Sequence, residues 1–266
     1  MNETTQPNGL IEWVLRIGVF MEFVGHGMLG FGHPPAWASY FGVVGIGRPT
    51  AFGLMSPVGI FDVAMAVSVL VFPIRGVVLY MAAWGLWTAL LRPLAGESVW
   101  EAVERAGNFG APFALFLLAA GGGWRSWLAF TPRQRTGGLR PGEISWVLRL
   151  TTFLLLLGHG LLGLHVHKPL YGVQYASIGL GYPGLEPAIG AFECTLALAV
   201  LVKPVRQLLI GVVVWKLATE ALNPVAGSPI WVFIEHGGSY AAPLALAYLA
   251  GDCGEGASRL NRGAIA

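Results

Sequence analysis

Apolar residues in this chain run in long stretches separated by short polar loops. The stretches extend approximately from Leu10 to Phe31, Thr50 to Val71, Gly76 to Leu91, Ser98 to Ala120, Ile144 to Leu164, Pro187 to Val202, Gln207 to Leu222 and Ser228 to Leu249. At about 1.5 Å rise per residue, a helix needs roughly 20 mostly apolar residues to cross about 30 Å of hydrocarbon. The pattern therefore predicts an all-α integral membrane protein of about eight transmembrane helices.

The stretches repeat. WVLRIGVFMEFVGHGMLG from Trp13 returns as WVLRLTTFLLLLGHGLLG from Trp146, and WEAVERAGNFGAPFAL from Trp100 returns as WVFIEHGGSYAAPLAL from Trp231. Between them GIGRP (Gly45 to Pro49) becomes GLGYP (Gly179 to Pro183), Phe61-Asp62 becomes Phe192-Glu193, and LRPLAG (Leu91 to Gly96) becomes LNPVAG (Leu222 to Gly227). The sequence thus predicts two tandem four-helix repeats. An even number of spans in each gives both the same orientation, about an axis along the membrane normal.

The first unit covers residues 1–130, a cytoplasmic linker 131–143, the second unit 144–250 and a cytoplasmic tail 251–266. Orientation follows from the basic residues, because short cytoplasmic loops collect Lys and Arg. One side receives Arg75, Arg125, Arg133, Arg135, Arg140, Lys203, Arg206, Arg259 and Arg262; the other has little beyond Arg48, Arg92 and Lys168. Both termini are expected in the cytoplasm, with the first helix retained as an anchor. Ser98 followed by Glu101 fits a capping box. Ser228 followed by Pro229 fits a cap with proline at the first helical position. Both mark helix starts, with Glu104 and Glu235 in the second turn.

Composition agrees with this picture: 55% of the 266 residues are hydrophobic and only 11% charged, against roughly 25% charged in soluble domains. A formal charge of +2, scattered along the chain, forms no basic stripe for nucleic acid. No P-loop suits a nucleotide and the GxGxxG matches, such as Gly25 to Gly30, lie within or between apolar membrane stretches and suit none either; no HExxH suits a zinc protease, and no Glu-x-x-His pair a di-iron bundle. The two cysteines, Cys194 and Cys253, form no CxxC pair.

Ionisable groups inside apolar stretches cost about 2.5–3.5 kcal/mol on insertion scales, so each needs a partner, a water-filled cavity or a function. Glu22, His26 and His33 are spaced to share one face of the first helix. The second copy keeps His159 in the same Gly-His-Gly setting but has Leu155 where Glu22 stands. His26 and His159 either pack helices together through hydrogen bonds between close-approaching glycines, or face a central axis. There they could bond a quinone carbonyl, relay a proton or ligate a metal. Asp62 and Glu193 occupy matching places near mid-membrane, either as structural ion pairs or as proton carriers. Glu104 and Glu235, with His236 beside the latter, lie where helix N-termini favour carboxylates and are candidate ligand contacts together with Glu22 and His33. Lys216 and Glu220, four apart, are expected to neutralise each other, and Trp84 and Trp215 to serve in core packing.

In these residues the chain resembles the DoxX-like membrane proteins: an early arginine (Arg16, Arg149), an apolar run to His-Gly (His26-Gly27, His159-Gly160), a Gly-x-Pro turn (Gly47 to Pro49, Gly181 to Pro183) and an acid on the second helix (Asp62, Glu193). Members are typically single four-helix units with a lysine a few residues after His-Gly, where this chain has Gly30 and Gly163. The resemblance implies a bacterial or archaeal inner-membrane protein associated with redox processes, including a quinone-reducing thiosulfate oxidoreductase and oxidative-stress complexes.

The leading expectation is a membrane redox subunit that places a quinone or similar partner between the two units, with His26, His159, Asp62 and Glu193 handling protons. Its partners would be the lipid bilayer and other membrane redox subunits. One alternative is a channel or transporter for a proton, metal ion or small solute, with His33, His165, His167 and His236 as an entry funnel. Another is a noncatalytic subunit that anchors a membrane complex.

Overall fold

Proline and glycine set most helix ends in the computed structural model, which describes residues 7–118 and 141–263. Helix α1 (Pro7–Phe31) stops at Gly32 and His33, the latter left-handed with φ of 48° and followed by two prolines. A short helix α2 (Trp37–Val43) leads to α3 (Arg48–Val71), which begins with proline in its first turn. The helix closes before Pro73, whose ring disfavours helical backbone at the preceding residue. Helix α4 (Arg75–Leu94) ends at a turn through Gly96, φ 96°.

The same order returns in the second half. Helix α7 (Pro141–Leu161) passes into a π-helical turn (Leu162–Val166) and left-handed His167, then come the short α8 (Pro169–Ala176), α9 (Leu185–Val202) and α10 (Arg206–Val225). All regular structure among the described residues is helical. Among the described residues, six helices are long and apolar enough to cross a membrane. Their outer faces carry large apolar side chains such as Ile60, Val202 and Val214, at 61%, 78% and 62% exposure, a surface suited to lipid. The linker 131–143 and the tail from 252 onward fall largely outside the residues described with side chains, and with them Arg125, Arg133, Arg135, Arg140, Arg259, Arg262 and Cys253.

Two apolar stretches expected as continuous helices are broken. Residues 98–120 form α5 (Val99–Glu104) and α6 (Ala106–Leu118), and residues 228–249 form α11 (Ile230–Glu235) and α12 (Gly237–Gly263). The breaks at Arg105 and His236 put Glu104 and Glu235 at the C-terminal ends of short helices, not in the second turn of long ones. Ser98 does cap α5, accepting from Trp100 N at 3.3 Å, but Glu101 turns away to Lys168 at 2.9 Å. Pro229 itself, rather than Ser228, holds the N-cap position of α11. The helices break where small residues let backbones meet: a side-chain carbon on Gly107 would lie 2.7 Å from Ser239 N. Close crossings of this kind replace the hydrophobic effect as the packing force between helices in lipid.

Helices α1, α6, α7 and α12 pack together at the centre; α3 lies on α1, α9 on α7, α4 on α6 and α10 on α12. The broken segments reach across, α11 packing on α1 and α5 on α7. The core between them is built from Ile11, Leu15, Val19, Leu148, Leu156, Ala242 and Leu246.

The early arginines have a structural task. Arg16 donates to the carbonyls of Val69 (2.9 Å) and Leu70, and Arg149 to those of Val200 (3.2 Å) and Val202 (2.6 Å). A cation there satisfies the unpaired carbonyls at the C-termini of α3 and α9 and complements their dipoles. Each guanidinium also lies over the indole three residues before it, 4.3 Å from Trp13 and 4.5 Å from Trp146.

Candidate functional site

The Gly-His-Gly motif works as a clamp. A side-chain carbon on Gly25 would sit 2.7 Å from Glu235 Cα, and one on Gly27 would sit 2.7 Å from Gly59 O. Two residues along a helix is about 200° of rotation, so α1 is held between α11 on one side and α3 on the other, with His26 between them. Gly158 and Gly160 repeat this against Glu104 and Gly190.

His26 Nδ1 lies 2.7 Å from Asp62 Oδ2, and its ring stacks on Trp37 with centroids 4.6 Å apart. With Nδ1 engaged by the carboxylate, Nε2 is the nitrogen left for other partners. It accepts a proton when the ring is neutral and donates one when the ring is charged.

His26 lines a cavity of about 250 Å³ whose walls include Trp37, Trp84, Trp87, Phe41 and Leu91, with Arg105, Asn108 and Glu235 among its few polar groups. Arg105 pairs with Glu235 at 3.4 Å. At one side Arg92 holds Glu97 at 3.0 Å, and Tyr40 donates to the same carboxylate. Burial, against the lowering pull of Arg92 and aided by the bond to Glu97, pushes the Tyr40 phenol up to about 12.

Three residues of its wall carry a buried polar atom that makes no hydrogen bond, Trp84 Nε1, Arg105 Nε and Asn108 Oδ1, and so does Asp62 behind His26, at Oδ1. In the second half the matching indole, Trp215 Nε1, donates to Glu193 Oε1 at 2.7 Å. Aspartate is one methylene shorter, and the corresponding bond between Trp84 and Asp62 is not made.

The second half holds a different arrangement. His159 Nδ1 bonds Glu193, and Tyr171 takes the place of Trp37 with its ring 4.6 Å from the imidazole. Tyr171 and Tyr175 close over this region and leave only a narrow crevice. Glu104 arrives from α5 and Glu220 from α10, so that ligand atoms of Glu104, His159 and Glu220 lie within 4.8 Å of one another. Lys216, only 1% exposed, pairs with Glu220 at 2.6 Å as expected from their spacing. His236 Nδ1 bonds Val232 O at 2.7 Å and stands 3.5 Å from Glu220 Oε2.

The sequence candidates thus separate into two groups, with one residue exchanged each way. His26 and Asp62 are joined at the cavity by Glu235 from the second half, whereas His159, Glu193 and His236 are joined by Glu104 from the first. The two histidines line different cavities instead of sharing one. Glu22 is buried with Oε2 unpaired, against the start of α12, and His33 Nε2 bonds Ser56 at 2.9 Å in the turn after α1. Trp84, expected in plain packing, is a cavity wall. Trp37, Tyr40, Arg92, Arg105 and Asn108 were not anticipated: Arg105 was visible in the repeated WEAVERAG segment, but its match to His236 hid it.

No protein-family model, no curated protein and no solved structure matches the chain.

Proposed function

We propose that the protein is a multi-pass membrane subunit of a redox system, with a cavity beside His26 for a quinone or similarly flat apolar redox molecule. The observation that carries this reading is the combination of aromatic walls with three wall residues that each hold an unpaired buried polar atom. Buried polar atoms are nearly always hydrogen-bonded, and ligand pockets join apolar walls to a few convergent polar groups.

Trp37, Trp84 and Trp87 would hold the ring system, while His26 Nε2 and Arg105 address its oxygens. A quinone supplies two-electron, two-proton chemistry, the electrons coming from a reduced partner subunit. As the imidazolium, His26 donates toward a carbonyl oxygen; as the neutral ring it takes a proton from a hydroxyl. Asp62 fixes the tautomer and the orientation of the ring through Nδ1.

In this proposal the broken segments α5–α6 and α11–α12 complete eight spans, and the two halves are tandem copies of a DoxX-like unit in an inner membrane with cytoplasmic termini. Interrupted helices are tolerated in membranes where they line a polar site.

A second reading, cation or proton passage, is favoured by the part-buried chain of ion pairs from Arg92 and Glu101 through Lys168 to Glu104. Extraction of the detergent-purified protein separates the two. Quinone that co-purifies with wild type and is lost on His26→Ala supports the redox reading. Quinone-free protein that conducts cations or protons in liposomes replaces it with the second.

A further inference from the structure

A second cluster of buried charges lies where α5, α7 and α10 meet, on residues that do not line the His26 cavity. Among the described residues, the ion pairs there connect the carboxylates of Glu101, Glu104, Glu193 and Glu220 with two permanent cations, Lys168 and Lys216. With neutral imidazoles the network is two positive charges short, a costly state in a low-dielectric interior.

We propose that Glu104, His159 and Glu220 bind a divalent cation of the zinc, manganese or iron(II) class. Their ligand atoms already lie within 4.8 Å of one another and all three residues are buried. Tetrahedral bonds of about 2.0–2.2 Å put ligand atoms about 3.3–3.6 Å apart, so the three groups close by up to about 1.5 Å on binding. One imidazole nitrogen and two carboxylates suit borderline and hard ions and exclude copper(I).

Two further observations point the same way. His159 Nδ1 is held by Glu193, and Glu193 by Trp215; a carboxylate behind a histidine is the usual support of a metal-ligating imidazole, leaving Nε2 for the ion. Tyr171, only 4% exposed and with its ring against His159, has a hydroxyl with no hydrogen-bond partner. Lys216 occupies Oε1 of Glu220, while Oε2 receives Asn223 Nδ2 at 3.1 Å; the ion shares this carboxylate with them. A divalent charge supplies the two the network lacks. The site does not depend on what fills the His26 cavity.

The test is metal loading of the full chain in detergent. Chelator-stripped protein is incubated with zinc, desalted and assayed for metal, and cobalt(II) is used as a spectroscopic probe. Wild type and the double variant His165→Gln, His167→Gln, both exposed histidines, are expected to retain about one ion per chain. Glu104→Gln, Glu220→Gln and His159→Gln are each expected to lose affinity about 10–100-fold and the cobalt d–d band. Should His159→Gln not fold, the two glutamine variants decide. Wild type that holds no zinc, or zinc retained in all three single variants, overturns the proposal.

Discussion

The Trp215 indole donates to Glu193 Oε1 at 2.7 Å, whereas Trp84 and Asp62, which match them in the first half, each keep a polar atom unpaired. One methylene in the acid separates a closed site from one with hydrogen-bonding capacity to spare. Glu193→Asp should orphan the Trp215 N–H and lower stability by about 1–3 kcal/mol, measured by thermal unfolding in detergent. Asp62→Glu should reach Trp84, satisfy it internally and weaken ligand binding about tenfold, measured by titration.

Glycine crossings hold the centre together. Gly25→Ala and Gly158→Ala place a carbon 2.7 and 2.6 Å from the Cα atoms of Glu235 and Glu104, and each should cost about 1–3 kcal/mol through overpacking. Gly53→Ala and Gly211→Ala meet nothing within 4 Å and should leave the melting temperature unchanged.

Lys216 and Glu220 form a buried ion pair at 2.6 Å, and removing one partner strands the other. Lys216→Met should destabilise by about 3–5 kcal/mol. The double variant Lys216→Met, Glu220→Gln should recover part of that loss, a difference read from a double-mutant cycle in thermal unfolding.

Tyr40 gives the fold an alkaline limit. Its phenol titrates at about 12 in the folded protein against about 10 unfolded, so between these values the unfolded chain has released a proton that the folded one keeps. This contribution to stability is complete below pH 10 and is lost as pH rises from 10 to 12. Tyr40→Phe should flatten the decline in melting temperature over that window relative to wild type.

Much of the fold was legible because span length is a property of the sequence itself: α1, α3, α4, α7, α9 and α10 begin and end within a few residues of the apolar stretches. The breaks at Arg105 and His236 were not, since no proline interrupts either segment there and the close approach of Gly107 to the start of α12 is a tertiary contact. His26, Asp62, His159 and Glu193 stood out by their recurrence at matching places in both halves, and the structure joins them as two His–carboxylate pairs. Their division into two unlike sites did not, because it depends on which side chains α5 and α11 carry across to the other half. Trp37 and Tyr40 were hidden in a loop that gave no sign of the short helix α2.

The central claim is a single ligand cavity at His26, with no counterpart at His159. Quenching of tryptophan fluorescence by a short-chain quinone tests it directly, since Trp37, Trp84 and Trp87 wall the cavity. Saturable quenching in wild type, weakened at least tenfold by His26→Gln and changed less than twofold by His159→Gln, is the predicted result. No saturable quenching, or equal loss in the two variants, would contradict the account.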